Sequence, residues 1–216
     1  MKNWQTMFLG LKQIARELSA FEIEAFFTFS EAELITIETR RRPELRLGLA
    51  LQIGFLRMSG RLLDALRMVS PELWRHLGAQ LSITPPELAS LRALCRRAQT
   101  LREHHQIACE VLGFRWASDH EWHALLHAVY QELASTGDRN RLLRFARQWM
   151  YQHQVIIVHE RQLRSMIAEA TNLYEKELSS QVYTAIDEPI RSRWHREIIL
   201  AHGSGITLQN RWWMAP

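Results

Sequence analysis

Lysine is almost missing from this 216-residue chain: Lys2, Lys12 and Lys176 are the only lysines among 27 basic residues, and the others are arginine. Cysteine is scarcer still. Cys95 and Cys109 stand alone and in no zinc-type spacing, which excludes a disulfide scaffold and a thiolate metal site and makes a reduced, cytoplasmic setting the simple expectation. No apolar run approaches the roughly 18–20 residues of a bilayer crossing, and the charged, periodic start MKNWQTMFLGLKQIARELSAF is no secretory signal. Aspartate is limited to Asp64, Asp119, Asp138 and Asp187, none in the strand context of a two-metal nuclease site. The G-x-x-x-x-G-K-[ST] phosphate loop and the G-x-S-x-G elbow are both missing. No catalytic residue, metal or cofactor is therefore expected, and no membrane partner.

What is present is an ordinary globular composition, 47% hydrophobic and 23% charged, long enough for one large or two small domains with real cores. The net charge of +4 hides a segregation. Residues 17–39 hold six glutamates and no Lys or Arg, whereas residues 40–61 and residues 139–164 each hold six arginines against one glutamate. Such a chain can present one face to a polyanion while its total charge stays modest. Composition bias alone would enrich arginine over lysine, but it would not cluster it. The guanidinium fork matches phosphate oxygens and the O6/N7 edge of guanine.

Helix signals dominate. Trp4, Met7, Phe8, Leu11, Ile14, Ala15 and Leu18 keep helical spacing and predict a first amphipathic helix. Ser19 with Glu22, Ser30 with Glu33, Thr84 with Glu87 and Thr100 with Glu103 read as capping boxes, and Pro71 and Pro85-Pro86 sit where a first turn tolerates a missing N–H. Leu88, Leu91, Leu94, Cys95 and Ala98 share a face, and the helix from Thr100 closes at Gly113. Asp119 and Asp138 are expected to cap further helices. Val155 to Val158 reads as a short connector, a helix follows from Glu160, and a last one covers Pro189 to Ala201. The fold class is all-α: two helical bundles with helix-turn-helix-like elements, residues 1–117 and 118–201, with a soft boundary near Ser118. Residues 202–216 form a tail whose uncovered aromatics resemble those of a chain cut short.

Four readings stay open on the residues alone. Leu45, Leu47, Leu49, Leu51, Ile53 and Phe55 alternate as a strand would, yet the run is long for a strand and poor in β-branched residues, and as a helix it would be buried all round. The two helices meeting near Thr100 make either a helix-turn-helix, with Arg102, His104 and His105 leading the second helix into a groove, or an ordinary hairpin in a core. His120, His123 and His127 line one stripe that could meet zinc or simply face water. Most of the eight tryptophans continue apolar faces. Trp116 and Trp212-Trp213 do not, and could stack on bases.

Four blocks also resemble, in this order, the amino-terminal region of the Tn-three family of replicative transposases: FTFSEAEL (Phe27 to Leu34), RLGLALQIGFLRMSGR (Arg46 to Arg61), AQTLREHHQIACEVLGFR (Ala98 to Arg115) and RQWMYQHQVIIVHERQLRSMI (Arg147 to Ile167). Val158 stands where the family commonly has proline. The resemblance implies a helix over Leu45 to Phe55 and recognition of double-stranded DNA at the terminal inverted repeats. Cleavage would belong to a ribonuclease-H-like domain far beyond this chain, which would be a DNA-end-binding fragment or truncated product. It implies a bacterial cytoplasmic protein, nucleoid-associated when bound, and allows self-association. The expected DNA contacts are Arg40, Arg41, Arg42, Arg46, Arg57, Arg96, Arg97, Arg102, His104, His105, Arg115, Arg161 and Arg164. The alternative is a helical protein-interaction or regulatory module competing with a full-length transposase.

Overall fold

Pro43 opens the helix around which the others are arranged. Its missing N–H costs nothing at the first helical position, and Gly60, at φ +68°, closes the helix in the left-handed region. A computed structural model describes residues 3–65, 68–84 and 98–194. In it the alternating segment is helical, as the family resemblance implied: α3 spans Pro43–Ser59, and every residue from Leu47 to Leu56 is buried. A helix apolar all round needs neighbours on every side. These are α1 (Ala20–Phe27), α2 (Glu31–Glu38), α4 (Pro71–Gln80), α5 (Ala98–Leu112) and a 3₁₀ turn at Asn3–Phe8. Each buried Leu, Ile or Phe of α3 contributes roughly 1.5–3 kcal/mol by leaving water. Gly54 lets α1 come close, because a Cβ there would overlap the Phe27 ring.

Beyond α5 come α6 (Asp119–Glu132), α7 (Arg139–Gln152), α8 (Glu160–Ala185) and α9 (Glu188–Trp194). Among the described residues the fold is all-α, with one isolated bridge between Arg115 and Val155 and no strand. Residues 155–158 form the short connector expected between α7 and α8. Ile156 N–H donates to the Arg115 carbonyl at 2.9 Å, Ile157 N–H to that of Gly60 at 2.8 Å, and the Tyr151 hydroxyl to that of Arg57 at 2.6 Å. These bonds tie residues on both sides of Ser118, and one compact unit runs from Met1 to Ile167; a second runs from Ala168 to Pro216. Within the second, Arg191 pairs with Glu188 and lies over the Tyr183 ring.

The boxes at Ser19 and Ser30 form, each serine accepting from the N–H of the glutamate that answers its own. Three local expectations are corrected. The first helix does not extend from Trp4 to Leu18: Gly10, at φ +81°, breaks it, and its N–H donates to the Ser59 carbonyl. Tertiary burial of Phe8, Leu9, Ile14 and Leu18 outweighs the helical pattern that carries them. Thr100 is not an N-cap, since α5 is already helical at Ala98. Ser118, rather than Asp119, caps α6, in a reciprocal box with Glu121. The Thr84 box, the Leu88–Cys95 face with the helix-turn-helix it would complete, and the end of the last predicted helix lie outside the described residues.

Candidate nucleic-acid interface

The arginines of residues 40–61 mostly serve the fold. Arg57 donates to the carbonyls of Phe26 and Thr28 at 3.0 and 2.8 Å, pairs with Glu33 and lies over the Phe29 ring, so it fastens α3 to the α1–α2 turn. Burial works to raise the Glu33 carboxyl, but the Ser30 N–H and the Arg57 charge outweigh it and hold the group below its ordinary value. Arg61, which is not among the expected DNA contacts, is buried and reaches the Val158 carbonyl and His159 Nδ1. Arg46 Nε donates to the Arg40 carbonyl at 2.7 Å, and Arg40 pairs with Glu103 of α5 at 3.2 Å. Arg41 and Arg42 alone in this run are exposed, with no side-chain partner among the described residues.

The α5 residues separate just as sharply. His104 is buried against the core with neither ring nitrogen hydrogen-bonded, so it offers nothing to a groove. Burial first, then the nearby Arg40 charge, push its pKa down to about 4, with Glu103 opposing and His105 adding. The imidazole is therefore neutral at physiological pH. His105 is half-buried, with Nε2 at 3.2 Å from the Leu63 carbonyl. Arg102 is exposed, its Nε donating to the Ala98 carbonyl. Arg115 is about half exposed and pairs through Nε with Glu121 at 2.9 Å. The Ser118 hydroxyl, then Arg115, hold the Glu121 carboxyl down to about 2. Arg96 and Arg97 lie outside the described residues.

Among the described residues the most open basic surface is on α7, none of whose arginines is among the expected DNA contacts. Arg139–Gln152 reads RNRLLRFARQWMYQ, four arginines and no carboxylate. Leu142, Leu143, Ala146 and Met150 are buried, while Arg141, Arg144, Gln148 and Gln152, spaced three and four apart, share the opposite side. The charge count had marked residues 139–164, and the missing acid in this helix was the signal that could have singled α7 out. Arg141 reaches Glu132 at 3.7 Å; Arg139 and Arg144 are exposed with no side-chain partner among the described residues. At the start of α8, Glu160 bridges Arg147 and Arg164, both at 2.7 Å. The Arg164 hydrogen bond is the main reason its carboxyl lies below the ordinary value. Arg161 is exposed and unpaired among the described residues.

Asp138 caps α7, Asp119 occupies the first turn of α6, and Asp64 is in a loop. His120, His123 and His127 are all exposed, and no group of three or more His, Cys, Asp or Glu is placed to hold a metal among the described residues. Trp4, Trp74, Trp122 and Trp149 are half-buried, whereas Trp116 is 66% exposed. No described helix is long and apolar enough to cross a membrane.

Residues 8–170 match the domain of unknown function DUF4158. Over its whole length the chain is 46% identical to the transposase for insertion sequence element IS1071 in transposon Tn5271 of Comamonas testosteroni, covering 22% of that protein. It is 31% identical over 157 residues to the transposase for transposon gamma-delta of Escherichia coli K12, which is 72% of this chain and 16% of the relative. It is 25% identical over 179 residues to the transposase for transposon Tn1546 of Enterococcus faecium, 83% of this chain and 18% of the relative. The chain thus spans about a fifth of the length of the curated relatives it matches. It belongs to the DUF4158 family and corresponds to the amino-terminal part of Tn-three family transposases.

Proposed function

We propose that this chain binds double-stranded DNA at the terminal inverted repeats of a transposon, as the non-catalytic amino-terminal part of a Tn-three family transposase. The observation that carries the reading is α7, a helix with four arginines, no carboxylate and an outward row of Arg141, Arg144, Gln148 and Gln152. Arginine and glutamine are the side chains that reach phosphates and base edges. Arg139 and Arg161 flank that row in sequence, and Arg41, Arg42 and Arg102 add exposed guanidiniums elsewhere in the same compact unit. Arg102 supports phosphate contact rather than the leading position of a recognition helix, because α5 is under way before it.

Binding of a labelled terminal repeat and of scrambled DNA across a salt series tests the proposal. With six to eight arginines on phosphates, log K should fall with log salt at a slope of roughly −5 to −7, about 0.9 per contact. The repeat should be preferred over the scrambled duplex. A nearly flat salt dependence would remove DNA as the ligand. A second reading, a protein-interaction module, draws on the exposed Leu173, Leu178, Val182 and Tyr183 of α8. Under it the unpaired arginines would be dispensable.

A further inference from the structure

A cavity of about 430 Å³ opens along one ridge of α5, lined by Arg102, His105 and Cys109 on the helix, with Leu62, Phe114 and Trp116 completing its apolar wall. The ridge positions recur at three- and four-residue steps, so they share one side of the helix. Beyond α5 the chain turns at Gly113, φ +71°, and Phe114 N–H donates to the Cys109 carbonyl at 2.9 Å. The segment carrying Trp116 is then held from the other side. Arg115 N–H donates to the Gln154 carbonyl at 2.9 Å, and the Phe114 ring meets Tyr151 edge-on at 5.5 Å. The cavity is therefore built by backbone hydrogen bonds and ring packing rather than by a loose loop.

Its chemistry has two parts. The indole of Trp116 is two-thirds exposed beside an apolar wall, a flat face at a cavity of ligand size. Two guanidiniums also line it, and both use only Nε within the fold: Arg102 toward the Ala98 carbonyl, Arg115 toward Glu121. Their Nη groups have no partner among the described residues. One carboxylate, Glu110, also lines the cavity and accepts from Gln106 at 2.9 Å. A flat aromatic surface next to unused guanidinium donors matches a ligand that is itself flat, aromatic and joined to phosphate. Burial, with the Glu110 charge adding to it, raises the Cys109 thiol, so that group acts as a neutral wall here and not as a nucleophile.

We propose that this cavity receives a single unpaired nucleobase of the bound DNA, stacked on Trp116 with its flanking phosphate held by Arg102 and Arg115. The proposal rests on the DNA-binding reading above and adds to it a preference for an extrahelical or frayed nucleotide.

The test uses the full 216-residue chain. Its probes are a transposon-end duplex, fully paired or with one extra thymine at successive positions, and a short oligothymidylate. The best bulged duplex should bind more tightly than the paired one by about 5- to 150-fold, the range that one stacked base supports. Trp116→Ala should erase that preference and leave paired-duplex binding intact, while Trp116→Phe retains most of it. In a Cys95→Ser chain, Cys109 should be shielded from a maleimide by bulged DNA and not by paired DNA. Equal binding of paired and bulged duplexes by the unsubstituted chain, or equal losses on both in Trp116→Ala, would overturn the pocket and spare the duplex reading. So would self-association abolished by Trp116→Ala with DNA binding unchanged, which would seat the indole against a second copy. Trp116-dependent binding of oligothymidylate without duplex binding would sustain the pocket and overturn the duplex reading. Binding to none of the probes would overturn both.

Discussion

Residues 40–61 and residues 139–164 carry the same charge, six arginines against one glutamate, and the fold uses them in opposite ways. In the first, Arg40, Arg46, Arg57 and Arg61 are drawn inward to carbonyls, a carboxylate or an imidazole, because α3 is buried all round and its polar neighbours must be satisfied. Only Arg41 and Arg42, in the turn before α3, stay free among the described residues. In the second, α7 buries one face and leaves the other in water, so Arg139 and Arg144 have no internal use, and Arg161 near the start of α8 is likewise exposed. Clustered arginine is thus an ambiguous mark: what decides its role is whether the helix carrying it has a solvent side.

Predictions that break or sharpen this contrast can be ordered by size. Arg57→Ala strands Glu33 and two carbonyls in a mostly buried place and should cost about 3–5 kcal/mol in urea unfolding, against less than about 0.5 kcal/mol for Arg144→Ala. Similar values for the two would dissolve the distinction. Next comes His104. Its folded pKa is depressed, so the unfolded state takes up the proton first. Stability is then complete above the ordinary histidine value of about 6.5 and is lost as pH falls toward about 4, on the order of 3 kcal/mol in all. His104→Leu should remove that slope over the same window, and an unchanged pH profile would show that the ring is not held neutral.

Smaller effects follow on the α7–α8 side. Replacing Arg139, Arg144 and Arg161 together by alanine should make the salt slope of DNA binding shallower by about 2.7, at about 0.9 each, with the urea midpoint unmoved. The Arg41→Ala, Arg42→Ala pair should remove about 1.8. If the slope stays put while the midpoint drops, these side chains belong to the fold after all. Smallest is Arg164→Ala. It breaks one exposed i, i+4 pair with Glu160 and should change stability by a few tenths of a kcal/mol, since Arg147 still holds that glutamate.

Much of the fold was legible because it rests on local chemistry. The serine boxes at Ser19 and Ser30, Pro71 after Ser70, Asp138 before α7 and Gly113 after α5 each satisfy backbone groups within a few residues, so their signals survive folding. Thr100 misled because the same spacing can occur inside a helix that began earlier, and Trp4 to Leu18 because apolar residues at helical spacing can be buried without a helix. The candidate surface was harder to read. His104 belongs to the same motif as Arg102 and His105, yet it turns into the core two residues from an arginine that does not.

The sequence by itself determined the all-helical class, the helix starts at Ser19, Ser30, Ser70 and Asp138, and the four blocks that place the chain among Tn-three family transposases. These depend on interactions a few residues apart or on the order of residues alone. Only the tertiary structure decided which arginines are spent inside, that α7 rather than the turn before α3 is the open basic helix, and that Trp116 stands beside a cavity. Those outcomes depend on which helix faces are covered by elements distant in the chain, and burial, unlike capping, is not a local property.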